Sequence, residues 1–143
     1  MKHGYIRTAA MTPVIKVADC EYNTDRIIEL ASKAYKHDAR LTVFPEMCIT
    51  GYTCNDLFLH EELIEAAKTS LIKIAEASAS WKGMLLFVGL PYEIDCKLYN
   101  AAAAVCDGRI LGLVTKKNLP DYGEFYERRQ FTPGFEKTQY TQI

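Results

Sequence analysis

The sequence lacks several features that would assign a class at once. It has no charge excess: 17 lysines and arginines stand against 18 aspartates and glutamates, a formal net charge of −1 at pH 7. That balance excludes a broad basic surface for nucleic acid or for an anionic membrane, and leaves room only for a small charged pocket. Long apolar runs are missing too. The longest, Met84 to Leu90, is far too short to span a bilayer. No long apolar stretch follows a basic start, so no secretory leader is read, and a cytoplasmic location is the default expectation. Cys-x-x-Cys does not occur. The five cysteines (Cys20, Cys48, Cys54, Cys96 and Cys106) are irregularly spaced, and His3, His37 and His60 do not follow them at zinc-like intervals. Free thiols in a reducing compartment and no metal site are expected. There is no internal repeat, low-complexity tract or linker rich in Pro, Gly or Ser, so no domain boundary falls inside the chain.

What is present fits one ordinary globular domain. The 143 residues are 49% hydrophobic and 24% charged, enough to bury a core without disulfides or metals. Tyr5 to Met11 reads as a strand. A helix is expected from a cap at Asn23 or Thr24 to about His37, with Ile27, Leu30, Ala31 and Ala34 on one face. Leu41 to Phe44 reads as a short strand stopped by Pro45. Glu61 to Ser80 is a second helix with a stripe of Leu63, Ala67, Leu71 and Ile74. The unbroken run Met84 to Leu90 predicts a strand buried on both faces. Leu98 to Cys106 and Arg109 to Thr115 flank Asp107-Gly108, a strong hairpin signal because a two-residue turn needs positive φ. The small side chains of Ala101 to Ala104 would let a helix or a second sheet approach closely. Beyond Asn118 the chain reads as a long ordered loop with one helical turn, punctuated at Pro120, Gly123 and Pro133-Gly134. Helices alternating with strands and an antiparallel pair exclude an all-parallel barrel for this portion and point to a layered α/β structure.

Chemistry concentrates at two strand tips. Glu46 emerges where Val43 and Phe44 give way to Pro45. A carboxylate beside that much apolar surface is expected to be partly desolvated, and so to serve as a general base. Its plain alternative is a solvated or turn-capping glutamate. The second tip is Thr115-Lys116-Lys117-Asn118-Leu119-Pro120, continuing through Glu124 to Arg129. A lysine there can stabilise a developing oxyanion. Arg128-Arg129 can instead form an anion patch, and the whole stretch can be a solvated basic turn.

Taken together, Phe44-Pro45-Glu46 and Lys116-x-x-Leu119-Pro120 resemble the nitrilase superfamily of carbon–nitrogen hydrolases. Two longer strings narrow the likeness: Phe44-Pro45-Glu46-x-Cys48-x-Thr50-Gly51-Tyr52, and Leu119-Pro120-x-Tyr122-x-Glu124-Phe125-Tyr126-Glu127-x-Arg129. With Asp56-Leu57 and the segment Val17 to Asn23, they are similar to the glutaminase domain of glutamine-dependent NAD⁺ synthetases. The resemblance implies an αββα sandwich, here truncated. It implies Glu46 as general base, Lys116 as catalytic lysine and Glu124 as second glutamate, with Tyr52 and Tyr122 lining a glutamine pocket. The implied reaction is glutamine hydrolysis through a thioester. Its ammonia would pass to a synthetase domain of the same polypeptide for ATP-dependent amidation of nicotinic acid adenine dinucleotide. ATP and Mg belong to that domain, none to this chain, and a homo-oligomer is expected.

The family's nucleophilic cysteine follows the lysine by several tens of residues, and Ile143 comes first. No family motif surrounds the five cysteines present. Residues 1–143 are therefore expected to be a partial glutamine amidohydrolase domain, with the synthetase domain absent and no hydrolysis by itself. An incomplete sandwich would expose a sheet edge and an apolar face, favouring self-association, or disorder over Lys116 to Ile143. Two other readings stay open: part of another carbon–nitrogen hydrolase, such as an aliphatic amidase or carbamoyl hydrolase, or a non-catalytic binding or assembly module of the same fold.

Overall fold

The apolar patterns build one mixed sheet with two helices against one of its faces. The computed structural model describes residues 4–138. Its strands are β1 (Arg7–Ala10), β2 (Ala39–Val43), β3 (Leu85–Ile94), β4 (Lys97–Cys106) and β5 (Arg109–Thr115). Its helices are α1 (Cys20–Lys36), α2 (Glu61–Ser78) and the single turn α3 (Glu127–Gln130), with a 3₁₀ segment at Tyr52–Leu59. Sheet order follows chain order. β1, β2 and β3 run parallel; β3, β4 and β5 run antiparallel. Parallel neighbours require crossovers, and α1 and α2 supply them. The α/β class expected from the sequence is the class observed.

Helix α1 starts earlier than its pattern suggests. Asp19 is the cap, its carboxylate accepting the Tyr22 N–H at 3.1 Å. Asn23 and Thr24, the expected caps, lie inside the helix and are fully buried. Asn23 does a different job. Its Nδ2 donates to the carbonyls of Lys16 (2.8 Å) and Ile49 (2.9 Å), and its Oδ1 accepts the Lys16 N–H at 2.7 Å. One side chain thus ties the loop before α1 to the turn after β2. That turn carries Glu46.

The stripe on α2 is as read, with Leu63, Ala67, Leu71 and Ile74 all buried. Strand β3 extends past Leu90 through Pro91 to Ile94 and pairs with β4 along its whole length. The connecting turn, Asp95-Cys96, takes φ of 50° and 56° without a glycine, so this hairpin carries no strong local signal. Pro91 is tolerated because β2 pairs with β3 only at Leu85, Leu86 and Phe87, so its missing N–H breaks no ladder bond there.

Alternation decides what is covered. Leu86, Val88 and Leu90 of β3, with Ala101, Ala103 and Val105 of β4, are buried in the helix-side core. On the other face Phe87, Ala102 and Ala104 are half-buried, while Val43 and Val114 are exposed. The expectation of a strand buried on both faces is therefore corrected: among the described residues the helices cover one face only. This is one α–β half of the layered arrangement the sequence suggests. Beyond β5 the described part of the chain runs as a loop with the single turn α3. It is tied down by Thr132 N–H to the Leu98 carbonyl (2.8 Å) and Gly134 N–H to the Lys116 carbonyl (2.9 Å). The expectation for the segment up to Ile143 lies in part outside the described residues.

One close approach positions the site. A Cβ on Gly89 would stand 2.5 Å from the Met47 nitrogen, 2.7 Å from the Pro45 carbonyl oxygen and 2.8 Å from the Glu46 Cα. The turn after β2 therefore lies directly across a strand position that has no side chain. Gly89→Ala is expected to destabilise the protein by about 1–3 kcal/mol through overpacking. A lowered denaturant midpoint with an unchanged slope is the expected reading, and an unchanged midpoint would contradict the packing described.

Candidate active site

Four elements converge at one end of the sheet. β2 ends at Val43, and a tight turn held by Cys48 N–H to the Pro45 carbonyl (3.3 Å) and Gly51 N–H to the Met47 carbonyl (2.7 Å) projects Glu46. β5 ends at Thr115, and the next residue, Lys116, gives its N–H to the Asn100 carbonyl of β4 at 2.8 Å. The 3₁₀ segment begins with Tyr52, and the turn of α3 begins with Glu127.

Lys116 is the hub. Its Nζ lies 2.8 Å from Glu46 Oε1 and 2.8 Å from Glu127 Oε1. The Tyr52 hydroxyl donates to Glu127 Oε1 at 2.7 Å. The Asn100 amide Nδ2 donates to Glu46 Oε1 and, at 3.4 Å, to Glu127 Oε2. The side chains differ sharply in access: Glu127 is 4% exposed, Lys116 31% and Glu46 44%. Burial pulls the Lys116 ammonium down, but hydrogen bonds and charge from Glu127 and Glu46 outweigh it and leave its pKa raised. Burial also raises the Tyr52 phenol, helped by its hydrogen bond to Glu127. A groove of about 360 Å³ borders Glu46, Asn100 and Lys116, with Val43, Phe87 and Val114 along its apolar side. Such a set can take a proton at Glu46 and hold negative charge at Lys116.

Of the residues proposed from sequence, Glu46, Lys116 and Tyr52 meet here. The turn after β2 leaves Glu46 in partial solvent beside two donors, Lys116 and Asn100. Glu124 is exposed and makes no hydrogen bond among the described residues; it is Glu127, three residues on, that pairs with Lys116. Both glutamates belong to the same Glu-Phe-Tyr-Glu string; Glu127 opens α3, and Glu124 lies before it. Tyr122 is 72% exposed and outside the cluster. It meets Phe125 edge-on at 5.9 Å, and Phe125 meets Tyr52 at 6.5 Å. Asn100 was not anticipated, since nothing local marks it. Arg129 forms a two-pronged pair with Asp56, both bonds 2.9 Å, so it clamps α3 to the 3₁₀ segment rather than forming an anion patch.

All five cysteines are free thiols. Burial pushes Cys48 up to about 12 and Cys20 to about 11, and raises Cys54 and Cys106 as well. Cys96 sits exposed in the β3–β4 turn. None hydrogen-bonds Glu46 or Lys116 among the described residues. Nor does any group of three His, Cys, Asp or Glu side chains gather there as a metal would require. No helix among the described residues is long and apolar enough to cross a membrane.

The Carbon-nitrogen hydrolase family model matches residues 6–143, and the chain belongs to that family. Within it, the chain is 36% identical over 133 residues to a glutamine-dependent NAD(+) synthetase of Mycobacterium bovis, covering 93% of this chain and 19% of that protein. It is 37% identical over 136 residues to the synthetase of Thermotoga maritima, covering 95% of this chain and 23% of that one. The chain thus spans about a fifth of the length of these relatives. Among solved structures, the glutamine-dependent NAD(+) synthetase of Cytophaga hutchinsonii aligns with TM-score 0.88 at 30% identity, over 96% of this chain and 23% of that one. A variant of an amidase from Nesterenkonia sp. AN1, solved with acrylamide, aligns with TM-score 0.76 at 25% identity, over 95% of this chain and 51% of that one.

The charge pairing has a definite pH signature. A lysine whose folded pKa lies above the ordinary 10.5 stabilises the fold fully below its unfolded value and loses that contribution as pH rises through the folded one. Lys116→Met also strands Glu127 in a buried site, and we expect it to cost about 3 kcal/mol at neutral pH. Unfolding measured across alkaline pH should show this deficit hold steady up to the ordinary lysine range and shrink beyond it. A deficit that shrinks well below that range would contradict the pairing.

Proposed function

We propose that these residues form the glutamate- and lysine-bearing part of the glutamine-hydrolysing domain of a glutamine-dependent NAD⁺ synthetase. The observation that carries the reading is the Lys116 ammonium held 2.8 Å from each of two carboxylates at the strand tips. The similarity to NAD(+) synthetases along nearly the whole chain supports the substrate class.

The mechanism assigns each group a step. Glu46 accepts the thiol proton of a cysteine supplied from outside residues 1–143. The thiolate attacks the side-chain amide carbon of glutamine, and the carbonyl π electrons move onto oxygen, where Lys116 stabilises the charge. Glu46 returns the proton to nitrogen, the C–N bond breaks, and ammonia leaves. Water, deprotonated by Glu46, then cleaves the thioester to glutamate and restores the thiol. Glu127, rather than Glu124, holds Lys116 charged and in place, with Tyr52 hydrogen-bonded behind it. The ammonia serves ATP-dependent amidation of nicotinic acid adenine dinucleotide in a synthetase domain of the same polypeptide, which also holds ATP and Mg. The likeness to an amidase favours one second reading, a carbon–nitrogen hydrolase acting on simple amides.

The test compares residues 1–143 with the product of the complete reading frame, each given glutamine and acetamide. We expect glutamate release from the longer product only, with acetamide the poorer substrate. Acetamide preferred over glutamine would favour the second reading. Hydrolysis by residues 1–143 that is abolished by Glu46→Ala would overturn the assignment of an outside nucleophile. In the longer product, Lys116→Ala and Glu127→Gln should each lower kcat/KM by about 10²-fold or more, a loss typical of removing an oxyanion donor or its anchor. Glu124→Gln should stay within about twofold, as surface changes do. The reverse ranking of the two glutamates would restore Glu124 to the site.

A further inference from the structure

We infer that Asn100 is a positioning residue which divides the two carboxylates into a working base and a fixed anion. The inference rests on the amidase reading of the site. Asn100 lies on β4, on the sheet face away from the helices, and is buried with Tyr99 and Ala101 on either side. Its cross-strand partner is Pro91, which offers no N–H. The residue nonetheless touches all three charged residues, the lysine through its main chain. Its carbonyl accepts the Lys116 N–H at 2.8 Å, and its Nδ2 donates to both Glu46 and Glu127. A primary amide carries two N–H bonds on one nitrogen, so a single group can serve two carboxylates at once.

Counting acceptor oxygens shows the consequence. Glu127 is occupied on both sides: Oε1 takes Tyr52 and Lys116, and Oε2 takes Asn100. Glu46 is occupied on one side only. Lys116 and Asn100 both meet its Oε1, and Oε2 receives no hydrogen bond from the described residues. Glu46 Oε2 is thus the one carboxylate oxygen of the cluster left to accept a proton. Charge favours a neutral amide at this position. Two carboxylates and one ammonium leave the cluster as a whole with a net negative charge, while the charges of Lys116 and Glu127 that face Glu46 offset each other. The groups that face it are Lys116 from the end of β5, Glu127 from α3 and Tyr52 from the 3₁₀ segment. A second cation at position 100 would quench the base. A third anion would drive it to hold a proton. Asparagine supplies donors without either effect.

The experiment uses the product of the complete reading frame, with kcat and KM for glutamine measured against pH in the native protein, Asn100→Ala and Asn100→Asp. Asn100→Ala is expected to lower kcat by about 10- to 100-fold with KM changed less than about threefold, because orientation rather than glutamine binding is lost. Asn100→Asp, nearly the same shape, is expected to move the acid limb of kcat/KM to higher pH by about one unit, since a third carboxylate raises the pKa of the base. Superimposed pH profiles, or loss of fold in the near-isosteric Asn100→Asp, would overturn the inference in favour of a purely structural asparagine. Failure of the underlying reading looks different: a native protein that releases neither glutamate from glutamine nor ammonia from acetamide sinks the amidase assignment, and the inference goes with it.

Discussion

The arrangement depends on one ammonium. Glu127 is almost wholly buried, and an isolated carboxylate in such a place would be severely penalised. Lys116 makes it tolerable, and Tyr52 and Asn100 satisfy what remains of its oxygens. Removing any of them leaves an oxygen of the buried Glu127 short of a partner. The cluster therefore acts as a joint. Through it the end of β5, the turn of α3, the start of the 3₁₀ segment and the turn after β2 are all held in one geometry. The Asp56–Arg129 pair adds a second, solvent-exposed tie between two of those elements, worth less because water and salt screen it.

The rest of the fold serves to bring the C-terminal tips of β2 and β5 to the same end of the sheet. Gly89 lets the Glu46 turn lie flat against β3. Buried Asn23 fixes the same turn from the side of α1. Lys116 is set by a main-chain bond to β4. None of these contacts involves the Glu46 carboxylate or the Lys116 ammonium, yet each helps to set where those groups lie. The uncovered sheet face, with Val43, Phe87, Ala102 and Val114, borders the same groove.

What was legible in the sequence was local. The α2 stripe, the Asp107-Gly108 hairpin and the two charged strand tips all follow from near-neighbour rules: helical periodicity, positive φ in a tight turn, and proline ending a strand. What was not legible required knowledge of distant partners. Asn23 looked like a helix cap because asparagine is a good one; the Lys16 and Ile49 backbones claimed it instead. The Asp95-Cys96 hairpin was hidden because no glycine marks its left-handed turn.

By itself the sequence determined the α/β class, the order of elements and the two strand tips that carry Glu46 and Lys116, since strand tips and motif spacing are properties of adjacent residues. Only the tertiary structure put Glu127 rather than Glu124 against Lys116, left Tyr122 outside the cluster, and brought in Asn100. The physical reason is that a hydrogen bond is made within about 3 Å, while Glu46, Asn100 and Glu127 lie 54 and 27 residues apart along the chain. Folding of the sheet closes that separation, and no local pattern records it.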